Sequence, residues 1–287
     1  DWTDAETTHF DVDGWSGFDA AHYVSIYAVG NASHNSGVWR ATGHVVSTDI
    51  DIETSYTRVH DMQWSNPGNI CIRISTTNPD IYIYNNIIRP SESNSSEGII
   101  NSDSGSGTHY YYNNVIYRPY NSDHGQTVGI HNTSSFSGTL NIFNNTITGF
   151  HKAGVEDDAT GVTNIYNCAF FNNGSDIISD GNTVQTVSNC ATDVGGGQGA
   201  NGVDISGTWD STCFTDAGGT GPDFSVQDVD SPLYNTGDGT VPDAIFTDDI
   251  IGTTRGPAVG DWDIGAFEFA AAGGSRELAG TIPGVAA

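Results

Sequence analysis

The phrase IYIYNNIIRP at residues 81–90 returns as YYYNNVIYRP at residues 110–119 and as LNIFNNTITGF at residues 140–150. Each copy places large apolar residues at alternate positions, then an asparagine pair, then further β-forming residues. A phrase that recurs in this way usually corresponds to one structural unit stacked on its neighbours. The repetition therefore predicts a solenoid of stacked β-strands.

Weaker copies extend the repeat on both sides, as VHDM at residues 59–62, IYNC at 165–168 and VSNC at 187–190. Equivalent positions, counted at the second asparagine of each pair, are Met62, Asn86, Asn114, Asn145, Cys168 and Cys190. They are separated by 24, 28, 31, 23 and 22 residues. Loops of variable length around a constant strand explain this spacing better than a tandem array of fixed length does. Coils of 22–31 residues are therefore predicted.

A second, shorter phrase lies between the copies of the first, as GI at residues 98–99, GI at 129–130 and GV at 154–155. It supplies another strand, so each coil is expected to contain at least two. Stacking coils about 4.8 Å apart places equivalent residues above one another. Asn86, Asn114 and Asn145 are then expected to hydrogen-bond along the stack as a ladder of buried amides.

Asparagine ladders and coils of this length resemble the right-handed parallel β-helices typified by pectate lyases and phage tailspikes, over about residues 44–190. The ends of the chain resemble the opening and closing segments of uncharacterised environmental right-handed β-helix repeat proteins. The segments that carry this resemblance are DGW (13–15), AHYVSIY (21–27), HNSGVW (34–39), DFSV (223–226), SPL (231–233), TDD (247–249), Arg255 and WDIGAFE (262–268). The resemblance implies an all-β, single-stranded right-handed parallel β-helix, and it implies no particular activity.

Four parts of the chain are predicted: an N-terminal opening segment (1–43), β-helix coils (44–195), C-terminal coils with a capping segment (196–269) and a linker-like tail (270–287). A cap is expected because the last coil of a solenoid exposes a strand edge and an apolar cross-section. Arg255 is expected to pair with Asp263 or Glu268 inside this cap. A ligand-binding role for Arg255 is the alternative.

The composition excludes some partners and indicates a location. A formal net charge of −27 repels phosphate backbones and anionic membrane surfaces, so nucleic acid is not an expected partner. No apolar run approaches the roughly 20 residues that span a bilayer. A surface poor in lysine and rich in asparagine, threonine and glycine is typical of exported proteins, which predicts an extracellular, cell-surface or virion-surface location.

The four cysteines have no CxxC spacing, which disfavours zinc and redox motifs. Cys168 and Cys190 fall at equivalent points of adjacent coils, where a separation of about 5 Å between Cα atoms permits a disulfide. The alternative is that both are reduced core residues that continue the asparagine column.

Candidate chemistry follows from aligning the copies of the shorter phrase. One column contains Ile100, His131 and Glu156, and the next outward column contains Ser102, Thr133 and Asp158. A histidine beside two carboxylates can act as an acid/base site, with Glu156 or Asp158 acting on a sugar and His131 assisting. Lys152, Asp157 and Asp158 are the first residues to mutate. The alternative is a solvated acidic face.

The enzymes that share the resembled fold make this hypothesis more specific. Polygalacturonase-like enzymes use Asn-x-Asp, Asp-Asp, Gly-His-Gly and Arg-x-Lys motifs, and this chain has Asp157 and Asp158 in sequence but neither of the last two motifs. Pectate-lyase-like enzymes use carboxylate-bound calcium with an arginine or lysine base. Arg89 and Arg118 lie 29 residues apart, about one coil. They are expected either to bind uronate carboxylates or to pair with nearby acidic residues.

Calcium is the predicted cofactor. Asp49, Asp51 and Glu53 alternate with isoleucines, so three carboxylates share one face of a strand, and such oxygen clusters suit Ca²⁺. Asp11 and Asp13 form a second short cluster before a glycine. Neither cluster is a complete EF-hand loop, and plain charged surface is the alternative.

Surface tyrosines lead to the preferred function. Tyrosines recur coil by coil at Tyr82, Tyr84, Tyr110, Tyr112 and Tyr117, although alternation allows only one parity class to face outward. An exposed aromatic strip stacks on sugar rings or on another subunit. We therefore expect a non-catalytic surface solenoid that acts through self-assembly, attachment or glycan binding, with polysaccharide or other copies of the chain as partners. A polysaccharide lyase or glycoside hydrolase is the alternative.

Overall fold

The computed structural model describes residues 10–14, 17–28, 37–39, 45–66, 68–76, 80–119, 125–133, 135–179, 184–194, 198–207, 209–218, 222–242, 245–256 and 261–269. The strands are β1 (Phe10–Val12), β2 (Val24–Tyr27), β3 (Ile50–Ile52), β4 (Thr57–His60), β5 (Gln63–Asn66), β6 (Ile70–Ile74), β7 (Ile81–Tyr84), β8 (Ile87–Pro90), β9 (Glu97–Asn101), β10 (Thr108–Tyr112), β11 (Val115–Tyr117), β12 (Val128–Asn132), β13 (Thr139–Phe143), β14 (Thr146–Thr148), β15 (Ala153–Asp157), β16 (Val162–Tyr166), β17 (Ala169–Phe171), β18 (Ile177–Ser179), β19 (Val184–Ser188), β20 (Ala191–Thr192), β21 (Val203–Asp204), β22 (Phe214–Asp216) and β23 (Asp223–Val226). One π-helical turn, Trp209–Cys213, is the only helical element named among these residues. In the described part of the chain, no helix has the length and apolar character needed to cross a membrane.

The strands build three parallel sheets of seven strands each, as a parallel β-helix requires, so the predicted fold class is confirmed. Sheet 1 has the order β1-β3-β6-β9-β12-β15-β18, sheet 2 the order β2-β4-β7-β10-β13-β16-β19, and sheet 3 the order β5-β8-β11-β14-β17-β20-β21. Each coil therefore contributes three strands, one more than the two that the sequence phrases indicate directly. The third strand consists of the β-forming residues that follow each asparagine pair.

Alternation along each strand of sheet 2 separates core from surface. In β7, Ile81 and Ile83 are fully buried while Tyr82 and Tyr84 are half-buried on the outer face. Ile83 pairs in register with Tyr111 of the next coil, and Tyr111 pairs with Ile142. Burying each such apolar side chain stabilises the fold by about 1.5–3 kcal/mol, so the inner columns hold the coils together.

The asparagine ladder lies at the corner between sheets 2 and 3. Nδ2 of Asn86 donates to Oδ1 of Asn114 at 3.1 Å, and Nδ2 of Asn114 donates to Oδ1 of Asn145 at 3.0 Å. All three side chains are fully buried. Cys168 and Cys190 continue the column as free thiols, and each donates to a backbone carbonyl of its own coil and to one of the preceding coil. Of the two alternatives for this cysteine pair, the structure has the reduced core residues.

The first asparagine of each pair has a different role that sequence reasoning missed. Asn113, Asn144 and Asn167 have positive φ angles of 53°, 51° and 54°, the left-handed conformation that asparagine tolerates better than most residues. One left-handed residue per coil turns the chain from sheet 2 into sheet 3. The pair therefore combines a turn residue with a ladder residue.

A second polar ladder lines the corner after sheet 1. Nδ2 of Asn101 donates to Oδ1 of Asn132 at 2.9 Å, and Nδ2 of Asn132 donates to Oδ1 of Asp157 at 2.9 Å. Nε2 of Gln185 donates to the other oxygen of Asp157 at 2.9 Å. Because Asn101, Asn132 and Asp157 are fully buried and bonded to each other, Asp157 is a structural residue, not a surface acid.

The C-terminal segment lies along the outer face of sheet 3 and forms a second apolar core there with outward residues such as Val115 and Ala169. The turn asparagines bind its backbone: Nδ2 of Asn113 donates to the Asp248 carbonyl at 2.6 Å, and Nδ2 of Asn167 donates to the Asp238 carbonyl at 2.9 Å. The segment predicted to be an end cap thus covers the side of the β-helix over several coils. The opening residues 1–9, much of 29–44 and the tail 270–287 lie outside the described residues.

Arg255 holds this segment in place. Its Nη1 lies 3.0 Å from Oε2 of Glu268, and its Nη2 donates to Oδ1 of Asn113 at 3.1 Å. The carboxylate of Asp263 instead accepts the backbone N–H groups of Asn235 and Phe269. Burial raises the pKa of Asp263 to about 6 and that of Glu268 to about 7, against the opposing effects of these hydrogen bonds and of Arg255. Arg255 is 4% exposed, and both its Nη1 and its Nη2 bind groups of the protein. It is therefore a structural residue.

Candidate functional site

The outer faces of the three sheets differ in what they offer to a ligand. The C-terminal segment covers the outer face of sheet 3, where Ile87, Val115 and Ala191 are buried beneath it. The outer faces of sheets 1 and 2 carry the residues singled out from the sequence. Sheet 1 presents a charged cluster, and sheet 2 presents stacked tyrosines.

The charged cluster on sheet 1 contains the three predicted acid/base residues. His131 of β12 and Glu156 of β15 are Cα partners on adjacent coils. Asp158 follows β15, and its backbone N–H donates to the Asn132 carbonyl at 2.9 Å, which continues the register. One ligating atom from each of His131, Glu156 and Asp158 lies within 4.8 Å of the others. The structure therefore brings this sequence-predicted set together.

Neighbouring charges define the state of this cluster. Nδ1 of His131 lies 2.8 Å from Oε1 of Glu97, and its Nε2 lies 3.5 Å from Oδ2 of Asp158. Burial lowers the pKa of His131, but the hydrogen bond and charge of Glu97, with smaller effects of Glu156 and Asp158, outweigh it, so the pKa is raised. Lys152 forms a close ion pair with Oε1 of Glu156. His131 is thus held among three carboxylates.

Accessibility decides which members of the cluster could act on a substrate. The Glu156 side chain is 7% exposed and paired with Lys152, whereas the Asp158 side chain is 35% exposed. A general acid or base must reach the atom it protonates or deprotonates. Asp158 meets that condition, whereas Glu156 and His131, whose Nδ1 is bonded to Glu97 and whose Nε2 is shielded from solvent, do not.

Tyrosines and asparagines form an open surface on sheet 2, which we call the tyrosine face. It consists of the partly exposed Tyr82, Tyr84, Tyr110 and Asn164, while Asn141 lies in the same column but is buried at 7% exposure. Tyr82 and Tyr110 stack with ring centroids 4.9 Å apart, and Tyr110 pairs in register with Asn141, which pairs with Asn164. Burial raises the pKa of Tyr82 and Tyr110, so both hydroxyls stay protonated and available as hydrogen-bond donors near neutral pH.

Two of the five predicted tyrosines are not accessible. Tyr112 stacks on Tyr84 at 4.8 Å, but its other side is covered by Phe246 of the C-terminal segment at 4.4 Å, and Tyr112 is 8% exposed. Tyr117 lies in the second core against Phe224. Tyr112 was predicted as a binding residue, and the structure corrects this because a segment over 130 residues away in sequence packs on its ring.

The two predicted binding arginines line one cavity of about 400 Å³ between sheet 3 and the C-terminal segment. Arg118 is 3% exposed, and its donors bind the carbonyls of Ser91 and Ser93 and the hydroxyl of Thr127. Arg89 lies 4.0 Å from Glu92 and over the ring of Trp39. Arg118 therefore fixes a loop, and the arginines do not form a free basic step along the stack.

The residues predicted to bind calcium do not gather into a group of three, although Asp11 and Asp51 are Cα partners on adjacent coils. Asp51 is buried, accepts a hydrogen bond from the Ser75 hydroxyl and pairs in register with both Asp11 and Arg73. Glu53 and Asp13 are exposed, and Asp49 is near Thr48. Among the described residues, the one group of three acidic, histidine or cysteine side chains close enough to share an ion is His131, Glu156 and Asp158. Calcium binding at the two predicted clusters stays a prediction that the geometry does not favour.

Comparison with known proteins adds no relative: the chain matches no protein-family model, and no curated protein or solved structure is significantly similar to it.

Proposed function

We propose that this chain is a non-catalytic β-solenoid of an extracellular, cell or virion surface that attaches to polysaccharide through the tyrosine face. Other copies of the chain are a second partner, because exposed strand edges and flat β-surfaces favour assembly.

The accessible, flat geometry of the tyrosine face is the observation that carries this proposal. Tyr82, Tyr110 and Asn164 lie on the first, second and fourth of four successive coils, with buried Asn141 on the third, so they span three steps of about 4.8 Å, or about 14 Å along the axis. The ring faces of Tyr82 and Tyr110 cover each other, which leaves their edges and hydroxyls for a ligand. A row of hydroxyls and amides with apolar ring edges between them suits an extended polyhydroxylated chain.

Charge narrows the class of polysaccharide. The net charge of −27 repels polyanions over distances of about a Debye length. One cation, Arg58, has its guanidinium 5.2 Å from the Tyr82 ring centroid, which is small against this net charge. Neutral polysaccharides are therefore the expected ligands.

Affinity electrophoresis of the full chain through gels that contain a neutral glucan, mannan or xylan tests the proposal. We expect at least one polymer to retard the chain, and Tyr82→Ala/Tyr110→Ala to weaken retardation by about tenfold or more, since each aromatic contact contributes about 0.5–1.5 kcal/mol. Tyr234→Ala is the matched control, because this half-buried tyrosine lies on the C-terminal segment. Absence of retardation by every polymer, or equal retardation of the double variant, contradicts the proposal.

A polysaccharide lyase or hydrolase is the second candidate, and the convergence of His131, Glu156 and Asp158 favours it. The burial of Glu156 and its ion pair with Lys152 weigh against it. Incubation with a panel of acidic polysaccharides distinguishes the candidates by viscosity and product analysis. Rapid chain shortening that disappears in Asp158→Asn replaces the binding proposal with the enzymatic one, and unchanged polymer length supports binding.

A further inference from the structure

The charged cluster on sheet 1 has the donor arrangement of a metal site. His131 and Glu156 project from paired positions of adjacent coils, and Asp158 lies two residues after Glu156 on the same outward face. One donor atom of each lies within 4.8 Å of the others, and Nε2 of His131 is already 3.5 Å from Oδ2 of Asp158. Tetrahedral donors at metal distances of about 2.1 Å lie about 3.4 Å apart. Small side-chain rotations therefore suffice to close the site around an ion.

Glu97 orients the histidine as a ligand. Oε1 of Glu97 lies 2.8 Å from Nδ1 of His131, and because a carboxylate only accepts, Nδ1 must carry the proton that is donated. The lone pair of neutral His131 is then on Nε2, which faces Asp158. A carboxylate that holds the far nitrogen of a ligating histidine is the usual outer-shell arrangement in metalloproteins.

One buried acceptor atom in this cluster lacks a partner. Oε2 of Glu156 is shielded from solvent and receives no hydrogen bond. Glu156 is 5% exposed as a residue, so bulk water does not satisfy its free oxygen. An orphaned buried polar atom destabilises the fold, and a bound cation would offset this cost.

The net charge of the cluster also favours a bound cation. Glu97, Glu156 and Asp158 place three negative charges around the histidine, and Lys152 supplies one positive charge on the Oε1 side of Glu156. When His131 gives up its proton to coordinate a metal ion, the cluster carries a net charge of −2, which a dication neutralises. Ile100 and Ile178 occupy the same outward column on either side and offer no competing donors.

We propose that His131, Glu156 and Asp158 bind one divalent transition-metal ion of the Zn²⁺ class, with Glu97 as a positioning residue and the remaining coordination position open on the side of Asp158. An imidazole ligand favours Zn²⁺ or a similar ion over Ca²⁺, which takes six to eight oxygen ligands. The site is separate from the tyrosine face, so it stands whether or not the chain binds polysaccharide.

Isothermal titration of the chelator-treated full chain with ZnCl₂ tests the site. We expect a saturable heat of Zn²⁺ binding that is lost in His131→Gln and retained in His60→Gln. His60 is the matched control, because it also has a carboxylate neighbour, Asp61 at 2.8 Å, but stacks between two tyrosines. Glu97→Gln is expected to weaken the affinity by about 10- to 100-fold, as for other outer-shell partners. Titration with CaCl₂ is expected to give no component that depends on His131.

Thermal unfolding keeps the test decisive if His131→Gln folds poorly. Asp158→Asn changes a partly exposed residue, so it is expected to unfold at the same temperature as the unsubstituted chain without metal. Zn²⁺ is expected to raise the unfolding temperature of the unsubstituted chain and of His60→Gln, and to leave that of Asp158→Asn nearly unchanged. A Zn²⁺ component that survives in both His131→Gln and Asp158→Asn, or no Zn²⁺ component in the unsubstituted chain, overturns the proposal.

Discussion

Replacing Asn114 by alanine tests whether the asparagine ladder holds the coils together. Nδ2 of Asn114 donates to the Ile83 carbonyl at 2.9 Å and to Oδ1 of Asn145 at 3.0 Å. Its Oδ1 accepts from the backbone N–H of Asn86 at 3.0 Å and from Nδ2 of Asn86 at 3.1 Å. The substitution removes all four hydrogen bonds from a site with no solvent exposure.

The magnitude follows from what the truncation leaves behind. The Asn86 N–H loses the side-chain acceptor on the next coil, while Nδ2 of Asn86 keeps the carbonyls of Val59 and Tyr84. One orphaned buried group costs about 1–3 kcal/mol and each of the three other lost hydrogen bonds about 0.5–1.5 kcal/mol, so we expect Asn114→Ala to lower the free energy of unfolding by about 2.5–7.5 kcal/mol.

Urea denaturation followed by circular dichroism measures this difference. Asn164→Ala is the matched control, since it makes the same chemical change on the outer face of the same β-helix, where the side chain donates one hydrogen bond, to Asn141. The control is expected to lose less than about 1 kcal/mol. Equal losses in the two variants would refute the reasoning, because the ladder would then be no more important than a surface contact.

Three further predictions concern packing, pH and the thiols. Gly129→Ala would place its Cβ 2.5 Å from the Gly154 carbonyl oxygen of the next coil, so the free energy of unfolding is expected to fall by about 1–3 kcal/mol. Gly125→Ala is the control, because nothing lies within 4 Å of its Cβ, and it is expected to change stability little. Equal urea midpoints of the two variants would contradict this prediction. Burial raises the pKa of Glu268 from 4.5 to about 7, so the folded chain holds a proton that the unfolded chain releases, and this contribution to stability is full below pH 4.5 and lost as the pH rises through about 7. The free energy of unfolding is therefore expected to fall between pH 5 and pH 8 by up to about 1.4 kcal/mol per unit, and a slope that Glu268→Gln leaves unchanged would assign the effect elsewhere. All four cysteines are buried free thiols, so Ellman's reagent is expected to label none in the native chain and four after denaturation; fewer than four under denaturing, non-reducing conditions would indicate a disulfide.

Local patterns made the core predictable from the sequence. Alternation in residues 81–84 assigned Ile83 to the interior and Tyr82 to the surface, because strand periodicity acts within a few residues. The ladder at Asn86, Asn114 and Asn145 followed from superposing equivalent phrases. The column of Asn101, Asn132 and Asp157 lies between the two outward columns in the same alignment, but its mixture of amides and a carboxylate does not by itself distinguish a buried ladder from a polar surface.

Long-range packing could not be predicted in the same way. The burial of Tyr112 depends on Phe246, and the role of Asn113 depends on Arg255 and Asp248. No periodic signal links the irregular C-terminal segment to the turns that it covers. The convergence of His131 with Glu156 was predictable from register, but its contact with Glu97 required the path of the preceding coil.

Disulfide formation between introduced cysteines measures most directly whether residues one coil apart are superposed. Tyr82 and Tyr110 are Cα partners on adjacent coils, where a separation of about 4.8 Å lies within the range that a disulfide spans. Tyr82 and Asn141 are two coils apart, about 9.6 Å, beyond that range. The structure predicts that Tyr82→Cys/Tyr110→Cys forms an internal disulfide under mild oxidation, detected by peptide mass spectrometry, and that Tyr82→Cys/Asn141→Cys does not. Cross-linking of the second pair in preference to the first, or of neither, would contradict the stacked register.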